Sequence, residues 1–248
     1  MSTFISFQDI LPDPNNTIGE AGQVAGTAGP GFANVSLTSD QKTMKDFTNS
    51  GRILARAIAA HRWKIKISYN PLTRDEFDRI YTFLIHRRGG INPFFVSLPQ
   101  YRAAKDTNFA TFSTNSSNKL AVPSGSTVLA GATSGLFEKS GYNFNTNGTP
   151  SPGDLFTVED SGNSNHLKAY MVTRVETSSD YLNGSVQPSG NTQIRVHFTP
   201  GASKIMNAGA KLVFHNPLIK VISTRDIQQY ELNTNNLYSY SLDLQEVQ

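Results

Sequence analysis

The sequence predicts a mainly β protein: a β-barrel or sandwich core with one packed α-helix (about 74–88) and an inserted small β-barrel domain. Three observations predict it. Trp63–Tyr69 and Tyr238–Gln245 alternate apolar and polar residues, as half-buried antiparallel strands do. One segment alone, starting near Thr73, carries a full set of helix signals. Between 102 and 216, short β-like runs are divided by Ser/Thr/Asn/Gly clusters, the texture of a small sandwich or barrel. The simplest organisation is a discontinuous core domain, 1–105 plus 216–248, with an inserted β domain at 106–215.

The elements follow in chain order. Residues 11–36 run Leu11-Pro12-Asp13-Pro14-Asn15-Asn16, then Gly22, Gly26, Gly29, Pro30 and Gly31, without periodicity. This predicts an extended arm that orders against a neighbour. Residues 50–62 favour helix by their Ala, Leu and Arg content but run unbroken into a strand, and context favours strand. Trp63, Ile65, Ile67 and Tyr69 then face one side, with Lys64, Lys66 and Ser68 on the other, until Asn70-Pro71 stops the ladder. Thr73 and Glu76 form a capping box, flanked by Leu72 and Phe77 as a hydrophobic staple. Phe77, Ile80, Tyr81 and Leu84 make one apolar stripe, Arg87-Arg88 sit in the last turn, and Gly89-Gly90 offers a left-handed exit. Phe94–Leu98, between Pro93 and Pro99, is the next strand.

Beyond Arg102 the β-like runs are Leu155–Val158, Ala169–Val175, Ile194–Phe198 and Lys211–Phe214. Pro217–Ile222 returns to strand. Tyr238, Tyr240, Leu242 and Leu244 form the second amphipathic strand, expected to close the sheet begun at Trp63.

Composition narrows the function. Only 17% of residues are charged, whereas Ser, Thr and Asn supply 68 of 248, so the surface is built mostly from short neutral polar groups. That excludes charged coiled coils, charged tails and a supercharged nucleic-acid coat. With 38% hydrophobic and 10% aromatic residues, a core can form. There is no cysteine, so thiolate metal sites, disulfides and a Cys nucleophile are excluded. No apolar run is long enough for a membrane helix. The first seven residues lack a secretory pattern, so cytosolic synthesis is expected, and the Asn-x-Ser/Thr triplets at Asn15, Asn34, Asn115, Asn147 and Asn183 read as chance. The positive charge is concentrated in residues 1–105, with 13 Lys/Arg against 8 Asp/Glu.

The search for chemistry returns little. Gly26-Thr27-Ala28-Gly29-Pro30-Gly31 lacks dinucleotide-binding spacing and reads as arm or linker. His61, His86, His166, His197 and His215 are scattered, with no pair at ligand spacing. His166, Asp160 and Glu159 could meet in a loop, although Asp160–Asn165 reads first as a solvated hairpin turn. Glu138 and Asp154 could make a glycosidase pair, but neither is flanked by aromatic sugar platforms. Arg87-Arg88 with Arg52, Arg56, Arg62, Lys64 and Lys66 could form a nucleic-acid face; a solvated face with helix C-terminal charge is the plainer reading. Trp63 is assigned to the core. No catalytic, cofactor-binding or metal-ligating residue is assigned.

The block Trp63–Phe77, continuing through Phe83–Gly90 to Pro93-Phe94-Phe95-Val96, resembles tailed-bacteriophage minor tail and distal tail proteins. The shared pattern is an aromatic-led strand, a Leu-Thr helix start, an Arg-Gly after the helix and a Pro-Phe strand. Gly153–Val158, Leu167–Thr173, Phe198–Gly201 and Gly209–Pro217 resemble a module inserted in such proteins, and Asn236–Leu242 is similar to their closing strand. The layout looks closest to a baseplate hub or tube-cap component of a contractile-tailed phage. The resemblance implies a tail-tube-like β-barrel with a packed helix, assembled as a ring, with no catalytic residues.

The expected function is therefore a structural virion protein and not an enzyme. It would form a ring, hexameric, connecting the tail tube to the baseplate or tail tip and nucleating tube assembly. The implied partners are further copies of the chain, the tail tube protein and baseplate or tail-tip hub proteins, with phage DNA passing through the lumen and no membrane insertion. Assembly would take place in the host cytoplasm. The alternative is a carbohydrate- or receptor-binding β module of a tail fibre or tip, suggested by the Tyr/Asn-rich insert.

Overall fold

The computed structural model describes residues 9–15, 17–18, 27–57, 61–182, 187–225 and 230–247. The chain runs through β1 (Thr17–Ile18), β2 (Thr27–Ala28), β3 (Phe32–Asp40), β4 (Thr43–Phe47), β5 (Ile53–Ala57), β6 (Arg62–Tyr69), α1 (Arg74–His86) and β7 (Phe94–Ser97). It continues with α2 (Thr107–Thr114), β8 (Leu120–Ala121), β9 (Ser134–Glu138), β10 (Leu155–Glu159), β11 (Ala169–Glu176), β12 (Gln193–Thr199) and β13 (Lys211–Val213). It closes with β14 (Leu218–Ser223), β15 (Glu231–Leu232), β16 (Tyr238–Ser239) and β17 (Ser241–Glu246). Contacts divide it into two compact units: Met1–Val96 with Lys220–Val247, and Ser97–Ile219. The protein is mainly β, as the sequence predicts.

The first unit is built on a five-stranded sheet in the order β3-β6-β17-β14-β7. Alternation dictates its faces: Trp63, Ile65, Ile67 and Tyr69 are buried, while Arg62, Lys64 and Lys66 are exposed. β17 pairs antiparallel with β6, setting Leu244 opposite Ile65 and Leu242 opposite Ile67. The two alternating stretches thus meet in one sheet, and each fully buried aliphatic side chain contributes roughly 1.5–3 kcal/mol. The apolar stripe of α1 covers that face through Phe77, Ile80, Phe83 and Leu84. Its rings engage Tyr240 at 5.6 Å from Phe77 and Phe94 at 5.4 Å from Phe83.

The capping box forms: the Glu76 carboxylate accepts the Thr73 backbone N–H at 2.9 Å and the Thr73 hydroxyl at 2.8 Å. These bonds hold the Glu76 pKa below its ordinary value. The helix ends at His86, two residues before the expected 88, because Arg88 itself takes the left-handed conformation (φ 54°) ahead of Gly89.

The segment expected as an extended arm, 11–36, is corrected in part; of it, residues 16 and 19–26 lie outside the described residues. Leu11, Pro12 and Asp13 are buried. Leu11 N–H donates to Phe95 O at 2.8 Å and Phe95 N–H to Asp9 O at 2.5 Å, a parallel bridge that covers the β7 edge. Gly29 lies against this segment so closely that a Cβ would meet the Pro12 carbonyl carbon at 2.4 Å. Residues 32–36 begin the nine-residue strand β3, paired with β6 from Phe32↔Tyr69 to Asp40↔Arg62. Local Gly and Pro content hid a strand whose partner lies some thirty residues away.

The second unit is a closed barrel in the order β10-β11-β12-β9-β8-β13. Phe137, Phe156, Tyr170, Ile194, Val196 and Phe198 fill it, each at most 1% exposed. Sequence reasoning placed four of its strands but missed β8, β9 and α2. β9 contains Gly135 because a Cβ there would meet Val128 Cγ2 at 2.6 Å. α2 ends at Thr114, just inside the Ser/Thr/Asn cluster of residues 113–118. Asp106 caps it by accepting the Phe109 N–H at 2.8 Å, and buried Phe109 packs edge-on to Phe214 at 5.2 Å. The chain enters at β8 and leaves from β13 at one end of the barrel. The loops 122–133, 160–168 and 200–210 gather at the other.

Candidate assembly surface and polar clusters

The most unusual surface belongs to the first unit. β4 and β5 pair as a two-stranded antiparallel ribbon that joins no larger sheet among the described residues. Thr48 N–H donates to Arg52 O at 2.9 Å across its turn, and Gly51 supplies the positive φ of 79°. Phe47 stands opposite Ile53, while Asp46 stands opposite Leu54 on the other face. Met44, Phe47, Ile53 and Leu54 are 53–69% exposed, so apolar groups project from both faces. An isolated ribbon of this kind is marginal in water and gains stability from a partner. It also carries Lys45, Arg52 and Arg56 against Asp46. Next to it in the chain, β3 is, among the described residues, an edge strand of its sheet, with backbone groups facing away from β6.

The basic face suggested by the sequence assembles only in part: Arg62, Lys64 and Lys66 share the outer face of β6. Arg87 is buried; its Nη1 donates to Asp9 Oδ1 at 2.6 Å and its guanidinium lies 4.9 Å from the Phe83 ring centroid. Lys64 pairs with Asp40 at 2.8 Å, holding the Asp40 carboxyl below its usual range. Lys66 faces Asp243 in register, and Asp243 is in turn bonded to Arg225. Arg52 and Arg56 stand on the ribbon instead. The outer face of the sheet carries Arg62, Lys64, Lys66 and Lys220 against Asp40 and Asp243. Trp63 is core, 3% exposed, with the His61 ring edge-on at 4.5 Å.

The histidines stay apart. His61 Nε2 bonds Ser39 Oγ at 2.8 Å, His86 ends α1, and His215 is exposed. Among the described residues no three His, Cys, Asp or Glu side chains gather as a metal site. His166 and Asp160 do share one loop, but each is occupied. Asp160 accepts Gly162 N–H at 2.8 Å, Asn207 N–H at 2.9 Å and the Asn207 side-chain amide at 3.0 Å. His166 is 1% exposed, with Nε2 at 2.6 Å from the Tyr170 hydroxyl, which also accepts Ser203 N–H at 2.9 Å. Burial pushes the His166 pKa down to about 4. Asp154 is likewise a loop anchor: it accepts Ser151 N–H at 2.7 Å and Lys105 N–H at 3.0 Å, and burial raises its pKa despite these bonds. Glu138 is on β9, opposite Gln193. Of the Gly26–Gly31 run, Gly29 packs against the 11–15 segment, and Gly26 lies outside the described residues.

Sequence reasoning missed a buried carboxylate, Glu176, at the end of β11. Its Oε1 lies 3.2 Å from Arg174 Nε and 3.1 Å from His197 Nε2, and Arg195 faces it in register. A bulge between Val172 and Arg174 aims the arginine there. Arg174 and Glu176 two apart in a β run was the available signal. The ribbon was signalled only by the turn-forming Thr48-Asn49-Ser50-Gly51 between two short runs.

Residues 11–101 match the family model described as distal tail protein pb9, A domain, N-terminal. The match spans β1 to β7, including the strand–helix–strand block from Trp63 to Val96, and stops before the barrel. No curated protein matches the chain. Over this segment the resemblance to phage distal tail proteins is borne out, and it suggests a structural role in a phage tail. No helix among the described residues is long and apolar enough to cross a membrane.

Proposed function

We propose that the protein assembles into a ring, hexameric in the tail, that connects the tail tube to the baseplate or tail tip and nucleates tube assembly. The observation that carries this is the β4–β5 ribbon, exposed on both faces with four large apolar side chains and flanked by the open edge of β3. Such a ribbon docked on the next protomer makes a heterologous contact, and heterologous contacts close into rings when the rotation allows. The family match over 11–101 supports a tail location.

Its partners in this reading are further copies of itself, the tail tube protein and the hub proteins below, with phage DNA passing through the lumen and assembly taking place in the host cytoplasm. The role is non-enzymatic, which agrees with loop-anchoring duties for Asp154 and Asp160.

Negative-stain images and mass photometry of purified protein should show closed rings. The double variant Phe47→Ser/Ile53→Ser should abolish them while leaving the fold intact, because exposed positions change stability by only about 0.5 kcal/mol. A wild-type protein that stays monomeric, alone and with tube protein, and is absent from virions sinks the reading.

A further inference from the structure

A ring contact made by the β4–β5 ribbon needs a seat on the neighbouring copy, and the first unit carries a surface of matching chemistry. A tyrosine cluster gathers around Phe77 of α1. The Phe77 ring lies 4.4 Å from Tyr238, nearly parallel at 7°, and 5.1 Å from Tyr230. Tyr230 in turn lies 5.5 Å from Tyr81 and 5.6 Å from Tyr238. Phe77 is buried, whereas Tyr230 is 45% exposed and Tyr81 and Tyr238 are half-buried. Ile85 stands one turn after Tyr81, and Leu232 stands opposite Tyr238 in the β15–β16 pair; each is 53% exposed. Five side chains thus form one aromatic and aliphatic patch founded on a buried ring.

Rings already packed against one another lose little freedom on binding, and tyrosine is among the residues that dominate interface energetics. The hydroxyls of Tyr81, Tyr230 and Tyr238 make no hydrogen bond among the described residues. They suit the carbonyls along the outer edges of a two-stranded ribbon. The ribbon offers a face that fits: Phe47 stands opposite Ile53, with the small Ala55 next on the same side. Charge agrees as well. From Thr43 to Ala57 the ribbon carries Lys45, Arg52 and Arg56 against Asp46, net +2. α1 through Ile85, with residues 230–239, carries Asp75, Glu76, Asp78 and Glu231 against Arg74 and Arg79, net −2. Opposite charges of this kind steer encounter and suppress wrong pairings.

We propose that the patch of Tyr81, Ile85, Tyr230, Leu232 and Tyr238 is the seat on which the β4–β5 ribbon of a second copy docks. This rests on the ring reading above and names its joint: the Phe47/Ile53 face of one copy lies on the tyrosine cluster of the next. Ribbon and seat are different surfaces of one chain. Each copy therefore joins two neighbours head to tail, which is the arrangement that closure into a ring requires.

The chain contains no cysteine, so introduced thiols report the joint without background. Rings of full-length Ile53→Cys/Tyr230→Cys treated with a short bismaleimide should give a ladder of covalent oligomers up to the full ring on denaturing gels. Ile53→Cys or Tyr230→Cys alone should give no ladder. Ile85→Ser/Tyr230→Ser, both at exposed positions, should lower the ring fraction at least tenfold in mass photometry, with a Trp63 fluorescence melt matching wild type. Rings that form without the ladder, or that survive Ile85→Ser/Tyr230→Ser unchanged, overturn this inference and leave the ring reading standing. Rings that survive but no longer join tube protein assign the patch to that partner and overturn it too. Monomeric wild-type protein removes the ring reading itself, and the seat with it.

Discussion

His166 should make the barrel sensitive to acid in a defined window. Its imidazole is 1% exposed, Nδ1 has no partner, and Nε2 is spent on Tyr170, so the folded state has no room to solvate a second proton. Lys204 opposes the charge and Asp160 favours it, but burial dominates and brings the pKa from 6.5 down to about 4. The unfolded chain therefore binds the proton first as pH falls. Stability is full above pH ~6.5, declines as pH falls to ~4, and levels off below. A separation of about 2.5 pH units corresponds to about 3 kcal/mol. Asp154, raised by burial, runs in the opposite sense, so the raw profile is not the measurement. The comparison is wild type against His166→Gln, unfolded in urea from pH 7 to pH 4 and followed by near-UV circular dichroism of the barrel tyrosines. The one tryptophan, Trp63, belongs to the other unit and reports on that unit separately. The wild type should lose about 3 kcal/mol more than the variant across the window. Parallel profiles, or a His166 ring proton titrating near 6.5 by NMR, would refute the reasoning.

Other perturbations follow from the packing. Gly29→Ala places a Cβ 2.4–2.6 Å from the backbone of Pro12 and Asp13 and should cost about 1–3 kcal/mol, read as a lower Trp63 fluorescence melting temperature. Glu76→Ala opens the capping box and should cost about 0.5–2 kcal/mol in the same assay; an unchanged melt would show that α1 is held by packing alone. Phe156→Ala removes a fully buried ring contacting Tyr170, Phe198 and Phe214, and should cost about 3–5 kcal/mol in barrel unfolding by urea.

Legibility in the sequence tracked how local the determining physics is. α1 was readable because its cap, stripe and exit lie within about twenty residues, and β6 and β17 because alternation announces a half-buried strand before its partner is known. β3 was misplaced because Gly29, Pro30 and Gly31 signal a loop, whereas burial of the preceding Leu11–Asp13 is fixed by a bridge to Phe95. α2 and β9 are short and polar, and only packing against Phe214 and Val128 decides them. Of the candidate residues, Arg87 left the predicted surface because Asp9, remote in sequence, neutralises it. The ribbon escaped notice because exposed apolar residues have no periodic signature.

The place of β17 in its sheet has a consequence for biosynthesis. It lies between β6 and β14, in the interior of the order, and its partner β6 is separated from it by the entire barrel sequence. The ribosome must therefore deliver residues 97–219 before the sheet can gain its central strand. The barrel is complete in sequence earlier and can fold while the first half of the sheet still waits with the β6 edge unpaired. Chains interrupted in that interval hold a finished barrel but an open sheet. The long insertion thus works as a checkpoint, since only a chain read through to Glu246 presents the finished sheet.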